Sequence, residues 1–174
     1  MKFAVSHEID APLDAVELAL LSAELPERIA AAMHDVGGPR IEAIEPVEQR
    51  FESGTLTRVL RYQAAAPVPA LERFLDGRPA ARDMLAWIER LTYVTRTHAG
   101  TFDVSPIEPY ARFFRAHGTV TLEALADGKT RRSIDGELDV NVRLVAPVVE
   151  RLAVAEVKKV YAAEAAALRA LAVL

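Results

Sequence analysis

Residues 133–174 read SIDGELDVNVRLVAPVVERLAVAEVKKVYAAEAAALRALAVL, and a change of period inside this stretch decides the fold. Ile134, Gly136, Leu138, Val140, Val142 and Leu144 fall on one side of a period-2 pattern. Ser133, Asp135, Glu137, Asp139, Asn141 and Arg143 fall on the other, as a strand with one solvated face requires. At Pro147, a residue suited to a first helical turn, the period lengthens. Val149, Ala153, Val157, Val160, Leu168 and Leu171 then recur at about 3.6 residues through an alanine-rich run with no interior glycine or proline. A helix of up to about 25 residues would be roughly 37 Å long, enough to cross a whole sheet.

Working outward, Asp127-Gly128 is a favoured two-residue hairpin turn and pairs this last strand with the one before it. At the other end of the chain Phe3, Val5, His7 and Ile9 alternate with Lys2, Ser6, Glu8 and Asp10, which predicts a half-buried strand over 2–9. Asp10-Ala11-Pro12-Leu13-Asp14 then supplies a helix start, and Pro26 divides the following apolar spacing into two short helices over about 12–34, closed by Gly37-Gly38. Residues 40–51 and 56–64 form the arms of a long hairpin around Glu52-Ser53-Gly54. Residues 67–87 break the pattern with Pro67, Pro69, Gly77 and Pro79, while Leu71, Phe74, Leu75, Met84, Leu85 and Trp87 suggest short amphipathic helical pieces. Strand-like composition returns from Leu91 to about Val104, and again from Tyr110 to Leu122.

Composition narrows the function classes. Apolar residues make up 51% and charged residues 26% of 174 residues, which excludes wholesale disorder and predicts one domain over 1–174. A formal charge of −4 argues against nucleic acid as a partner. The absence of cysteine removes disulfides, thiol nucleophiles and Cys-based zinc sites. The alternating N-terminus is unlike a signal peptide, and no apolar run reaches the length of about 18 residues that a spanning helix needs, so a soluble, cytoplasmic protein is expected.

The element order, together with Ile9-Asp10-Ala11-Pro12-Leu13-Asp14-Ala15-Val16 after the first strand, resembles the START-like SRPBCC superfamily. The stretches Pro69-Ala70-Leu71-Glu72-Arg73-Phe74-Leu75 and Gly136-Glu137-Leu138-Asp139-Val140-Asn141-Val142 resemble an uncharacterised bacterial subfamily of it. The resemblance implies an α+β helix-grip fold: a curved antiparallel sheet of six to seven strands wrapped around a long C-terminal helix, with two short helices after strand one. It also implies a cavity between sheet and helix. The polar residues that carry catalysis in enzymatic branches have no recognisable counterpart, so no catalytic residue is carried over.

The candidate residues follow from parity. His7 points inward with Phe3, Val5 and Ile9, and a buried neutral imidazole could meet a ligand headgroup, although a core histidine bonded to a neighbouring element is the plainer reading. Arg58 shares a face with Leu56, Leu60 and Tyr62, where a guanidinium needs a carboxylate or an anionic ligand. His7, Arg58 and Tyr62 are the candidate orienting groups. Val5, Leu60, Val94, Phe114, Leu138, Val140, Val157 and Tyr161 are the candidate walls, and small residues at Ala153, Ala163, Ala167 and Ala172 leave room beside the helix. Leu71, Phe74, Leu75, Met84, Leu85 and Trp87 read as a lid. Arg73, Arg78, Arg82 and Arg90 around that lid suit a transient contact with anionic headgroups, largely neutralised by Glu72, Asp76, Asp83 and Glu89. Glu156 and Glu164 project in similar directions from the last helix, and solvation beside Lys159 is the expectation for both. The four histidines, His7, His34, His98 and His117, lack metal-ligand spacing, so neither metal nor cofactor is expected. Three functions remain: a non-catalytic carrier of a lipid, sterol-like or polyketide-like molecule; a cyclase, dehydratase or hydrolase using the same cavity; and a protein-binding regulatory module.

Overall fold

The computed structural model describes residues 1–141 and 146–173. Val142, Arg143 and Leu144 of the expected strand face lie outside the described residues, as does the side chain of Pro147. The strands are β1 (Lys2–Ile9), β2 (Ile41–Glu52), β3 (Thr55–Ala64), β4 (Ala86–Val94), β5 (Ala99–Pro106), β6 (Phe114–Ala124) and β7 (Thr130–Val140). The helices are α1 (Leu13–Leu21), α2 (Leu25–Asp35), α3 (Pro69–Leu75) and α4 (Ala146–Ala172). All seven strands form one antiparallel sheet in the order β1-β7-β6-β5-β4-β3-β2. The 27 residues of α4 lie against its inner face, which is the expected helix-grip architecture.

Local rules account for most boundaries. Pro12 is extended immediately before α1, whose Val16, Ala19 and Leu20 are buried. Pro26 sits in the first turn of α2, where its missing N–H costs nothing, and Leu25, Ile29 and Met33 turn inward. Both helices pack on α4. In β1 Phe3 and Ile9 are buried and in β7 Ile134 and Leu138 are, so the alternation fixes the register of the β1/β7 pair. The β7 turn closes at Gly128, which has φ +78°.

Three boundaries differ from the sequence reading. Trp87 is not part of a helical lid: β4 begins at Ala86, because Tyr62 and Gln63 of β3 pair with Trp87 and Ala86. The Trp87 ring then stacks on Tyr62 at 5.1 Å between centroids. The run from Leu91 to Val104 is two strands, broken by a 3-10 turn over Thr95–Thr97 and by His98 at φ +52°. Thr95 secures that break with its N–H and hydroxyl on the Gly54 carbonyl, at 2.9 and 3.0 Å. Tyr110 lies outside β6, in a turn where its N–H donates to Ile107 O and its carbonyl accepts from the Phe113 N–H.

Candidate functional site

A cavity of about 170 Å³ lies between one end of the sheet, α3 and the N-terminal half of α4. The sheet contributes Ala86, Trp87, Glu89, Val104, Phe114, Leu138 and Val140, and α4 contributes Val149, Ala153, Glu156, Val157, Val160 and Tyr161. Ala70, Leu71 and Phe74 of α3 and Met84 and Leu85 of the following 3-10 turn form its roof. Phe113 braces the roof: its ring is 5.6 Å from Phe74 and 6.0 Å from Tyr110, with the Arg112 guanidinium 5.5 Å above it. The Gln63 amide donates to the Arg82 carbonyl at 3.2 Å and so ties the 3-10 turn to β3.

Beyond the inner end of this cavity the interior becomes ionic. Arg58 of β3, Glu89 of β4, Arg132 of β7 and Glu164 of α4 are all buried. Glu164 accepts from Arg58 at 3.0 Å through one carboxylate oxygen and from Arg132 through the other. Arg58 also donates to the Leu20 carbonyl at 3.3 Å, and Arg132 to the Tyr161 carbonyl at 3.5 Å. The Arg58 Nη2 is 3.8 Å from Glu89, whose other oxygen accepts the Tyr62 hydroxyl at 3.5 Å. A void of about 20 Å³, lined by Glu89, Arg132, Tyr161 and Glu164 among apolar side chains, separates these groups and is large enough for one water molecule. Glu89 and Tyr161 line both spaces.

The two carboxyls titrate apart. Burial disfavours charge on both, but Arg132 and Arg58 bracket Glu164 and hold its pKa below the ordinary carboxylate range. Glu89 has a longer reach to Arg58, so burial, reinforced by the charge of Glu164, pushes it up to about 7. Burial raises Tyr62 and Tyr161 well above the usual phenol range, with the neighbouring carboxylates adding to the effect. The cluster thus places a carboxyl that exchanges protons near neutral pH at the inner end of an apolar cavity.

A family model described as a protein of unknown function, DUF2505, matches residues 4–171. The chain belongs to this family. No curated protein matches it. Among solved structures, a protein from Thermus thermophilus aligns at TM-score 0.62 and 16% identity over 98% of each chain. The Zhui aromatase/cyclase from Streptomyces sp. R1128 aligns at 0.63 and 15%, over 99% of this chain and 93% of that one. A START superfamily protein from Mycobacterium smegmatis aligns at 0.55 and 12%, over 93% and 92%. The fold of this DUF2505 member is therefore that of START-like and aromatase/cyclase proteins. Among the described residues, no helix is long and apolar enough to cross a membrane.

Of the residues singled out from the sequence, Phe114, Leu138, Val140, Val157 and Tyr161 line the cavity together with Leu71, Phe74, Met84, Leu85 and Trp87. The others lie elsewhere. Val94 is on the wrong parity: past the start of β4 the buried residues are Glu89, Leu91 and Tyr93, and Val94 falls on the side of Arg90 and Thr92. Leu60 is fully buried in the core away from the cavity, Val5 packs at its edge, and Leu75 is buried on α3 outside the lining. Arg58 and Tyr62 form the ionic layer rather than the cavity wall. His7 points inward but pairs with Arg132 on the neighbouring strand, far from the roof. Burial, with Arg132 and Arg169 nearby, lowers its pKa, and its Nδ1 has no hydrogen-bond partner among the described residues.

Glu164 and Glu156 are both buried, so solvation beside Lys159 describes neither, although the Glu156 carboxylate does receive Lys159 at 3.0 Å. Arg132 was available to the sequence reading, since it shares parity with Ile134 and Leu138. Glu89 was hidden because β4 starts inside a segment that looks helical.

Proposed function

We propose that the protein binds a hydrophobic small molecule, lipid, sterol-like or polyketide-like, in the cavity under α3 without transforming it, and that the segment over 67–85 admits it. The cavity itself carries this reading. Native interiors hold few voids larger than a water molecule, yet here about 170 Å³ persists behind aliphatic and aromatic walls. Apolar burial at about 25 cal/mol per Å² would supply the affinity, and a few polar groups at the inner end would orient the ligand. Likeness to an aromatase/cyclase and a START superfamily protein supports a ligand-holding fold. Asp76 at φ +50° and Gly77 at φ +80° give the roof a turn about which it can open. Exposed Arg73, Arg78 and Arg82 beside that turn suit a brief contact with an anionic surface in the cytoplasm.

Native mass spectrometry of the purified protein tests the reading. A discrete apolar adduct at near-stoichiometric occupancy is expected, and Val157→Trp, which fills the cavity from α4, should abolish it with the circular dichroism spectrum unchanged. Undiminished uptake by that variant would overturn the reading. One observation favours the enzymatic alternative, a cyclase, dehydratase or hydrolase: Glu89, not His7, occupies the place of a general acid or base, with its pKa at about 7. Product formation by wild type that Glu89→Gln abolishes without loss of binding would select it.

A further inference from the structure

The charge of the cavity wall limits what the polar end of a ligand can be. Among the described residues that line it, Glu89 and Glu156 are ionisable acids, and none is lysine, arginine or histidine. The guanidiniums nearest the floor do not line the cavity, and their Nη atoms are engaged elsewhere: Arg58 with Glu164 and the Leu20 carbonyl, its Nε being buried without a partner among the described residues, and Arg132 with Glu164 and the Tyr161 carbonyl. Lys159 reaches Glu156 from the outer side of α4 and is not part of the wall. Tyr161 is 4% exposed and lines the cavity.

Resting on the binding role argued above, we infer that the cavity selects an apolar molecule whose polar end donates hydrogen bonds and carries no negative charge, an alcohol or amine rather than a carboxylate. An anionic head entering here would lose its hydration, meet carboxyl groups and find no free cation among the described lining residues, the costliest way to bury a charge. A hydroxyl or ammonium head instead donates to the Glu89 carboxylate and to the Tyr161 oxygen, which are acceptors. The selection is against a wrong partner as much as for a right one.

Displacement of the neutral fluorophore N-phenyl-1-naphthylamine at pH 8 by decanol, decylamine and decanoate tests this. Matched chains make the head the only variable. Decanol and decylamine should displace the fluorophore at concentrations at least about tenfold below decanoate, a difference of about 1.4 kcal/mol. Glu89→Gln combined with Glu156→Gln should narrow that gap by improving decanoate. Equal displacement by all three would overturn the head-group inference and leave the binding role standing. If the fluorophore binds but decanoate alone displaces it, the wall is cationic in effect and the inference fails. If neither the fluorophore nor any of the three binds, the binding role fails and takes the inference with it.

Discussion

Glu164 sits between two guanidiniums, so its removal would leave Arg58 and Arg132 as buried cations with one longer-range carboxyl for company. Breaking one partner from a buried ion cluster costs about 3–5 kcal/mol, and Glu164→Ala should lower the urea midpoint accordingly. A loss under about 1 kcal/mol would mean that solvent reaches the cluster. Glu89 should reveal itself through pH. Its pKa rises from the unfolded value of 4.5 to about 7 on folding, so between those values the folded state holds a proton that the unfolded state releases. Its favourable contribution is complete below about 4.5 and is lost as pH rises through about 7. Glu164 acts in the opposite sense, stabilising above the ordinary carboxyl range and ceasing to do so as pH falls below it. His7, with a lowered pKa, favours folding as pH rises through its ordinary range and so opposes Glu89. Comparing wild type with Glu89→Gln isolates Glu89: from pH 5 to pH 8 the variant should gain on wild type by on the order of 2 kcal/mol in urea unfolding. A constant offset would show that Glu89 ionises as an exposed glutamate does. Parity exposed Arg58 to a reading of the sequence, but parity cannot say whether a buried arginine meets a ligand or an internal glutamate. That depends on Glu164, which is 106 positions away.

At the scale of elements, α1, α2 and the hairpin of β6 and β7 were legible because Pro12, Pro26 and Asp127-Gly128 act through their own backbones. The Thr95–His98 turn was not, since it contains neither glycine nor proline and is held by hydrogen bonds to Gly54 on another hairpin. The bend of the sheet is a second element-scale feature that alternation conceals. Gly118 and Gly136 face each other across β6 and β7, and the Phe102 ring lies close to both. A Cβ at Gly136 would come 2.5 Å from the Phe3 ring, and one at Gly118 would come 2.1 Å from the Asp135 carbonyl oxygen. Side chains are excluded there so that the strands can curve under the aromatic rings. Gly118→Ala must therefore move backbone, and thermal unfolding should show a loss of at least about 2 kcal/mol; a loss near zero would show that the sheet flexes freely at this point.

For the whole molecule, the two halves of α4 meet different surroundings. The C-terminal half, with Ala163, Ala167 and Leu168, packs into a core shared with Leu20, Phe102 and Ile134, whereas Ala153, Val157 and Val160 face the cavity. The roof over 69–85 is held by few polar ties, so it should open before the sheet does. Trypsin should cut first at the exposed Arg82, the bond after Arg78 being protected by Pro79, and N-phenyl-1-naphthylamine at a hundredfold excess over its Kd should slow that cut. Full linkage at that excess is worth about 2.7 kcal/mol. Unchanged cleavage would place the fluorophore away from the roof. The sequence by itself determined most element types, the long last helix and the inward faces of β1 and β7, because backbone periodicity and turn chemistry are local, while the helix-grip arrangement followed from the family resemblance of that element order. Only the tertiary structure decided that the space beside α4 stays open at one end, that β4 begins at Ala86, and that Arg58, Glu89, Arg132 and Glu164 share one buried site. Those outcomes depend on register and packing among β3, β4, β7 and α4, and no short-range pattern specifies which distant charge a buried residue will meet.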